Sequence, residues 1–418
     1  MTTNRPKLTA ASTAQPARIE HLRVENFRAL KKIDLDLTPM TVLLGPNGSG
    51  KSTVFDVFNF LSECFTVGLR AAWDKRQRFG EMRSRDATGP IVFELRYRET
   101  PADAPATYHL EIDEEDGHPI VVAEWLKWRR VSKTSPGAPF LILNYKRGKG
   151  WVISGMLPEK TDKKGRANLD DTDMLAVSTL GQLKSNPHVA TLRRFITDWY
   201  VSYLTIDDTR GQPLAGAHER LSKTGDNLAN VVQFLQDRHP QALDEIFKTL
   251  SERVPMLQKV STAPTGDGRL LLQLKDAPFQ TPVLARFASD GTMKMLAYLV
   301  VLHSPNLPQF IGIEEPENFL HPRLLSELAE ECRAASVRSQ LLITTHSPFI
   351  LDALKPEEVW ILHRGLDGFT RATRASDIPG VTQFLAAGAS LGQLWLEGRF
   401  GVGDPLVRGG RPAAPGRS

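Results

Sequence analysis

The chain has 418 residues, of which 41% are hydrophobic and 24% charged, an ordinary composition for a globular protein. This composition excludes a wholly disordered chain, a collagen-like fibre and a small disulfide-rich scaffold. Lysine and arginine total 52 against 48 acidic residues, so the formal net charge of +4 does not by itself indicate nucleic-acid binding. At about 150 residues per domain, the length predicts two or three domains or lobes.

The cysteines and the apolar runs point to the compartment. Cys64 and Cys332 are the two cysteines, and both lie in predicted helices, which favours a reducing environment. Without a Cys-x-x-Cys pair, the sequence offers neither a zinc hook nor a redox motif. The apolar runs, such as 295–302, are far shorter than the ~20 residues that span a bilayer. We therefore expect a cytoplasmic protein without a membrane partner, with residues 1–18 and 401–418 as a disordered leader and tail.

The first half of the chain is predicted to be rich in strands. Residues 19–90 begin with short strands at 22–27, 33–37 and 41–44, followed by a helix at 52–65. Residues 91–160 are predicted as an antiparallel β insertion with strands at 91–98, 108–112, 120–128, 140–145 and 151–154. Turn pairs such as Asp116-Gly117 separate these strands and favour hairpins.

The second half is predicted to be helical and then mixed. A charged linker at 160–171 leads into residues 161–256, which are predicted as a helical lobe with helices at 174–184, 188–200 and 227–253 and a break at Pro240. Residues 257–400 begin with short strands. They then alternate helices at 290–302, 323–335 and 347–353 with strands at 310–313, 341–344 and 359–362. This alternation predicts an α/β fold whose parallel sheet is covered on both faces.

A phosphate-binding loop is the strongest motif. Gly-Pro-Asn-Gly-Ser-Gly-Lys-Ser matches G-x-x-x-x-G-K-[ST] between a predicted strand and a predicted helix. The glycines let backbone N–H groups point at phosphate oxygens, and the helix N-terminus adds a favourable dipole. We expect Lys51 to reach the β- and γ-phosphates and Ser52 to hold Mg²⁺; a chance glycine-rich turn is the alternative. The candidate nucleotide-binding residues here are Gly45, Pro46, Asn47, Gly48, Ser49, Gly50, Lys51, Ser52 and Thr53.

Two adjacent acids follow the apolar strand predicted at 310–313. The carboxyl ends of parallel strands face the ligand crevice, so we expect Glu314 to hold Mg²⁺ and Glu315 to polarise the attacking water. A helix-capping acidic turn is the alternative interpretation. Glu317 is predicted to be structural, because the chemistry does not require a third acid.

A histidine follows the strand predicted at 341–344. His346 at this strand end can contact the γ-phosphate or orient the attacking water. A purely structural histidine is the alternative. Lys51, Glu315 and His346 are therefore the candidate catalytic residues.

Together these motifs resemble those of ABC-type ATPases, in which a histidine follows the strand with paired acids; here His346 lies 31 residues after Glu315. The resemblance is nearest to the RecF, SMC and OLD-like class. Residues 22–28 resemble the opening of that class, 287–294 stand at its signature motif, and 314–322 are typical of a group of bacterial AAA-family ATPases. It covers residues 19 to about 365 and implies an ABC-type P-loop NTPase head with a mixed central sheet, divided between residues 19–90 and 257–400.

The resemblance also implies a head-to-tail homodimer with two ATP molecules sandwiched between its subunits. In such a dimer Ser289 and Gly291 of one subunit contact the γ-phosphate bound by the other. The same analogy suggests Gln77 as a further Mg²⁺ ligand and Arg28 as a phosphate contact, with an ordinary surface arginine as the alternative. Because the sequence shows no NKxD-like guanine-binding motif, ATP is preferred to GTP.

Positive charge is concentrated in one segment. Residues 127–166 contain eleven basic and two acidic residues, a net charge of +9, so the rest of the chain carries −5. Aromatic residues are interleaved with these charges, which favours nucleic-acid binding on a β platform. The alternative is a solvated face with the aromatic side chains in the core. The candidate nucleic-acid contacts are Arg129, Arg130, Lys146 and Arg147.

We therefore expect an ATPase that dimerises on ATP and drives a DNA- or effector-linked process in DNA repair or anti-phage defence. The 72 residues after His346 are too few for a nuclease domain, so we expect any nuclease or toxin partner to be a separate protein. The 237 residues between Ser52 and Ser289 lack the heptads of a coiled-coil arm. The alternatives are an ATP-dependent regulatory binding module with little turnover and a transporter ATPase subunit.

Overall fold

A computed structural model describes residues 17–77, 79–129 and 137–403 of the protein. Residues 1–16 and 404–418, which make up most of the predicted leader and tail, lie outside the described residues, as does Arg130. Arg18 is assigned to the leader by the sequence pattern but is the first residue of the first strand. Its backbone pairs with Arg98, a partner that no local pattern could reveal.

The helices and strands mostly lie within a few residues of their predicted bounds. Strands β1 to β17 cover, in chain order, Arg18–Phe27, Leu30–Asp36, Met40–Leu44, Ile91–Arg98, Ala106–Glu115, His118–Trp128, Phe140–Lys146, Lys149–Val152, Gly165–Asn168, Tyr200–Ser202, Leu257–Pro264, Leu270–Asp276, Val283–Leu284, Phe310–Glu314, Gln340–Thr345, Val359–Arg364 and Thr370–Arg374. Helices α1 to α13 cover Lys51–Thr66, Leu69–Asp74, Phe79–Met82, Ala176–Leu180, Pro187–Thr197, Ile206–Thr209, Leu228–Arg238, Pro240–Arg253, Asp290–Leu302, Pro322–Ala335, Pro348–Leu351, Val381–Ala386 and Leu391–Leu396.

Two short strands differ from the predictions. Strand β9 lies inside the predicted charged linker, and Tyr200, predicted at the end of a helix, begins β10. Strand β9 pairs with β8, whereas β10 pairs with β14, more than 100 residues later. Distant pairing of this kind overrides local propensity.

An eight-stranded antiparallel sheet forms one layer, in the order β2-β1-β4-β5-β6-β7-β8-β9. In β4, buried and partly exposed residues alternate, as expected for a sheet with one face in the core and one in solvent. The antiparallel region predicted for residues 91–160 is therefore continuous with the N-terminal hairpin β1–β2, and at its other edge it ends with β9.

A six-stranded sheet forms a second layer, in the order β10-β14-β15-β3-β16-β17. All neighbouring strands are parallel except β16 and β17, so the sheet is mixed, with a parallel centre, as predicted. Two apolar cores lie against this sheet, one on each face. Leu342 of β15 belongs to the first core, which also contains residues of the antiparallel sheet, and its neighbours Leu341 and Ile343 belong to the second. Both faces of this sheet are therefore covered, which explains why its central strands are continuously apolar.

Helix α1 lies between the two sheets. Phe58 stacks on Phe310 of the parallel sheet with the ring centroids 4.6 Å apart, and Phe60 lies 5.7 Å from Phe93 of the antiparallel sheet. The first core also includes α4 and α5, whereas α7 and α8 belong to the second core with α9 and α10. Residues 161–256, predicted as one helical lobe, are therefore divided between two cores. None of the helices in the described ranges combines the length and apolar character needed to cross a bilayer.

Candidate nucleotide site

The phosphate-binding loop, residues 45–50, connects the buried central strand β3 to the first residue of α1. Two of its glycines lie in close contact with the strands beside them. A Cβ atom at Gly45 would lie 2.4 Å from the Leu362 carbonyl oxygen, and one at Gly50 would lie 2.2 Å from Thr370 Oγ1. Gly50 also has φ 105°, a backbone conformation that favours glycine. Packing against β16 and β17 therefore requires glycine at both positions.

Two residues near the C-terminal end of the fold support this loop, and neither was predicted from the sequence. Arg364 Nε donates a hydrogen bond to the Gly48 carbonyl oxygen at 2.6 Å, and Thr370 Oγ1 donates to the Ser49 carbonyl oxygen at 2.9 Å. Both lie more than 300 residues after the loop. No local motif identifies them; they reach the loop because β16 pairs with β3.

Lys51 and Ser49 present polar groups toward the loop. Lys51 is 4% exposed, and its Nζ donates to the carbonyl oxygens of Gly45 at 2.8 Å and Pro46 at 3.2 Å. Burial lowers the pKa of Lys51, and the carboxylate of Glu315, 3.6 Å from Nζ, opposes that shift. Ser49 Oγ is buried and has no hydrogen-bond partner within the described part of the chain. A buried cation beside an unpaired hydroxyl fits a bound phosphate.

The paired acids lie beside this cation. Glu314 ends β14, and burial raises the pKa of its carboxyl group, while a hydrogen bond from the Ser52 hydroxyl opposes that increase. One hydroxyl and one carboxylate at the same point are suitable ligands for Mg²⁺. Glu315 adopts φ 39°, and its N–H donates to the Thr344 carbonyl oxygen at 3.0 Å. This turn places the second acid beyond the strand end.

A cavity of about 340 Å³ lies over the loop. Glu315 and Arg364 line it together with residues of the loop and the start of α1. The cavity is lined by Asn47, Gly48, Gly50, Lys51, Ser52, Thr53, Glu315 and Arg364. The loop residues and one of the paired acids therefore face a common space that is large enough for phosphate groups.

Glu317, predicted to be structural, connects the acidic strand to His346. Its Oε1 accepts hydrogen bonds from Thr345 Oγ1 at 2.9 Å and the His346 N–H at 2.7 Å, and it lies 3.1 Å from His346 Nδ1. The Glu317 side chain is 8% exposed, whereas that of His346 is 46% exposed. Glu317 thus fixes the position of a histidine whose outer part remains in solvent. The sequence feature that could have indicated this role is the position of Glu317, two residues after Glu315.

The signature segment contacts the same acidic loop. Ser289 caps α9, accepting a hydrogen bond from the Thr292 N–H, and a Cβ atom at Gly291 would lie 3.2 Å from the Phe319 carbonyl oxygen. Ser289 and Gly291 are not among the residues that line the phosphate cavity in the described part of the chain. Gly291 lies instead beside Phe319 of its own chain.

Lys294 is a further residue that was not predicted from the sequence. It is 4% exposed, and its Nζ donates to the Asn318 carbonyl oxygen at 2.8 Å; Asn318 Nδ2 in turn donates to Glu315 Oε2 at 3.4 Å. Burial lowers the pKa of Lys294 to about 8, although Glu317 and Glu315 oppose this. The sequence feature that could have identified it is a single lysine within the buried helix α9. It links the signature helix to the loop that carries Glu315.

Arg28 and Gln77 are less closely connected with the loop. Arg28 NH1 lies 3.0 Å from Asp56 Oδ2, and Arg28 lines a second cavity, of about 590 Å³, together with Thr53 and Arg364. Gln77 is exposed in the segment between α2 and α3, with φ 73°. Its neighbour Arg76 pairs with Asp56 at 2.6 Å. Gln77 as a metal ligand therefore remains a prediction.

The three candidate nucleic-acid contacts that lie in the described residues do not form one cluster. Arg129 Nε donates to the Gly137 carbonyl oxygen at 2.6 Å. Lys146 is exposed at the end of β7, and the adjacent Arg147 pairs with Glu115 at 2.7 Å. Arg130, the fourth candidate, lies outside the described residues. Arg147 is thus partly neutralised, whereas Lys146 lies on an open part of the sheet.

Two family models match the chain. The model described as "AAA ATPase domain" matches residues 18–97, and the model described as "AAA domain, putative AbiEii toxin, Type IV TA system" matches residues 177–352. The first match contains the phosphate-binding loop, and the second contains the signature segment, Glu314, Glu315 and His346. Residues 18–97 and 177–352 therefore resemble AAA-type ATPase domains. Because AAA ATPase domains bind nucleotides, these matches support nucleotide binding by this chain.

Individual relatives cover different parts of the chain. An OLD nuclease of Thermus scotoductus is 53% identical over 36 residues, which are 9% of this chain and 7% of that nuclease. A structure of an SMC head bound to the C-winged helix domain of ScpA is 16% identical, with a TM-score of 0.46, over 85% of this chain and 96% of that chain. The SMC head domain from Thermotoga maritima is 12% identical, with a TM-score of 0.41, over 85% of this chain and 98% of that chain.

Proposed function

We propose that this protein binds Mg-ATP at the phosphate-binding loop, hydrolyses it, and dimerises on ATP to drive a DNA- or effector-linked process. The observation that carries the proposal is the convergence of three strand ends. Lys51 follows the loop after β3, Glu315 follows β14 and His346 follows β15, and these strands are adjacent and parallel. A cation, a carboxylate and a histidine therefore meet at one edge of the sheet.

The chain's own groups account for binding. The N–H groups at the start of α1 and the ammonium group of Lys51 attract the phosphates, and the unpaired Ser49 hydroxyl can hydrogen-bond to a phosphate oxygen. Ser52 and Glu314 would hold Mg²⁺, which when bound neutralises charge on the β- and γ-phosphates. Arg28 and Thr53, which line the neighbouring cavity, are further candidate contacts.

Hydrolysis requires a positioned water molecule. Glu315 accepts a hydrogen bond from Asn318 Nδ2 and lies close to Lys51, so one carboxylate oxygen can hold and polarise a water molecule near the γ-phosphate. His346, held by Glu317, would contact the γ-phosphate or the water through its exposed side. This division of roles corresponds to the general requirement for one base and several charge-stabilising groups.

Dimerisation is supported by the exposure of the signature segment. Ser289 is exposed, and two large apolar side chains lie near it: Phe287 is 70% exposed and Phe319 is 64% exposed. In a head-to-tail dimer this surface would cover the partner's phosphate loop, and Ser289 and Gly291 would complete the partner's site. By analogy with the RecF, SMC and OLD class, we place the process in DNA repair or anti-phage defence in the cytoplasm, with a separate nuclease or toxin as effector.

The test measures phosphate release and molar mass together. With Mg-ATP, we expect steady phosphate release and a population of dimer by light scattering; with ATP and a chelator, we expect phosphate release to stop. A monomer at every protein concentration would contradict the dimer. Stable dimerisation without phosphate release would instead support a regulatory module with little turnover.

A further inference from the structure

We propose that the solvent face of strands β6 to β9 is a platform for single-stranded nucleic acid, on which Trp125 and Trp151 stack bases while neighbouring lysines bind phosphates. The proposal deepens the DNA-linked part of the proposed function by naming the form of nucleic acid and its binding surface. It rests on strand register, side-chain exposure and charge.

Register places the two tryptophans on one face. Trp125 of β6 is opposite Asn144 of β7, and Asn144 is opposite Trp151 of β8. The row continues to Arg166 of β9 on one side and to His109 of β5 on the other. Directly opposed residues of an antiparallel sheet lie on the same face. With strands about 4.8 Å apart, the two tryptophans lie about 10 Å apart across the sheet.

Exposure divides the aromatic residues of β6 to β8 into two groups. Tyr145 is 1% exposed in the first core, and Trp128 packs against that core. Trp125 and Trp151 are both partly exposed, and neither belongs to the two cores. The first pair has a structural role, whereas the second leaves aromatic surface available to a ligand. One face of the Trp125 ring is stacked on His109, with the ring centroids 4.6 Å apart, so the ligand would use its other face.

A lysine lies over each of these two rings. Lys127 Nζ is 5.2 Å from the centroid of Trp125, and Lys164 Nζ is 4.1 Å from the centroid of Trp151. The amines are exposed and can move, so a base can take the place of the ammonium group on the ring. The displaced ammonium group then remains within reach of the phosphate of that nucleotide.

The charge of the face fits a polyanion. The exposed basic residues that strand alternation or ring contact places on this face are Lys127, Lys146, Lys149, Lys164 and Arg166. The acid of β6, Glu124, is fully buried on the opposite face, where it accepts a hydrogen bond from Tyr108. Beyond β6 the face becomes acidic, because Glu94 and Glu111 flank His109 on β4 and β5. This change of sign marks the limit of the platform.

Single strands are preferred to duplexes on physical grounds. Stacking on a tryptophan requires an unpaired base, and the two rings lie on a sheet rather than on a helix that could enter a groove. Asn144, between the tryptophans, offers an amide donor and acceptor to a base edge. Because every base has an aromatic face, we expect weak dependence on sequence.

The experiment measures binding of fluorescein-labelled 15-nucleotide thymidine and uridine strands, and of a 15-base-pair DNA duplex, by anisotropy. For the wild-type chain we expect both single strands to bind more tightly than the duplex and to quench tryptophan fluorescence. We expect Trp151→Ala to weaken binding about 10-fold, since stacking contributes substantially to the binding of each base. The double variant K164E/R166E should also reduce the salt dependence of log K by about 0.7 for each phosphate that the variant no longer binds.

The matched controls carry similar substitutions at exposed positions outside the platform. Phe279→Ala removes an aromatic ring that is 61% exposed, and Lys259→Glu reverses an exposed charge on β11; both should bind as the wild type does. K164E/R166E changes only exposed side chains, so its far-UV circular dichroism should be unchanged. Equal affinity in this variant and in the controls, or tighter binding of the duplex, would overturn the proposal. Binding is measured without ATP, so loss of ATP hydrolysis alone leaves this result interpretable.

Discussion

The parallel and antiparallel sheets of this protein use their strands in different ways. In the six-stranded sheet, chemical groups follow the ends of β3, β14 and β15, and the strands themselves are buried. In the eight-stranded sheet, buried and exposed residues alternate along the strands, so polar side chains and two tryptophans collect on the solvent face. The first arrangement creates a crevice suited to a small ligand, whereas the second creates a surface suited to an extended one.

The comparison predicts that substitutions at one sheet can abolish its function without changing the function of the other sheet. The phosphate loop depends on contacts with β16 and β17, and the platform depends on register within β6 to β9. Helix α1 contacts both sheets, so it is the element through which nucleotide binding could influence the platform.

The largest effect is expected from Lys51→Ala. The variant removes the buried cation that faces the phosphates, so phosphate release should fall by about 1,000-fold, as when a principal charge-stabilising donor is removed. Binding of a thymidine strand should remain as in the wild type. Lys248→Ala, an exposed lysine on α8, is the control. Unchanged turnover in Lys51→Ala would remove the assigned site.

Glu315→Gln should uncouple binding from hydrolysis. The amide cannot take a proton from water, so turnover should fall by about 100-fold while ATP still binds. Light scattering with Mg-ATP should then show a longer-lived dimer than in the wild type. Glu327→Gln, on the exposed side of α10, should leave both measurements unchanged. Loss of ATP binding in Glu315→Gln would show that the carboxylate has a different role.

Lys294→Met should have a smaller effect, on turnover alone. It removes the donor to the Asn318 carbonyl oxygen, and with it one constraint on Glu315, so we expect kcat to fall by about 10-fold with little change in KM. Lys294→Arg should recover part of the activity, because a donor is restored. A parallel rise in KM would indicate damage to the nucleotide site and not to the position of Glu315.

The last prediction concerns stability in the antiparallel region and not activity. Burial raises the pKa of Glu124 to about 7, so the folded state binds this proton more tightly than the unfolded state. The stabilisation that this proton uptake contributes is fully present below pH 4.5, the ordinary pKa of a glutamate, and is lost as the pH rises to about 7. Over this range the free energy of unfolding falls by up to about 3 kcal/mol. Relative to wild type, Glu124→Gln should gain stability over this range in urea titrations. Glu245→Gln, exposed on α8, should show no such trend.

Residues that are close in sequence allowed the candidate nucleotide site to be predicted. The phosphate loop, the Glu314–Glu315 pair and His346 follow strands whose apolar runs are visible in the sequence, and the ends of adjacent parallel strands must meet. The alternation of helices and strands after residue 289 likewise predicted the central sheet. In each case the determining contacts are made within a short segment, where residue type and spacing carry the information.

Tertiary structure alone decided the remaining features. Glu317 approaches His346 because β14 and β15 are adjacent, and Arg364 reaches the phosphate loop because β16 pairs with β3. Trp125 and Trp151 share a face only through the register of three strands. The sequence itself determined which residues carry the chemistry. Pairing between distant strands determined which of them meet, because a register shift of one residue would turn each side chain to the other face.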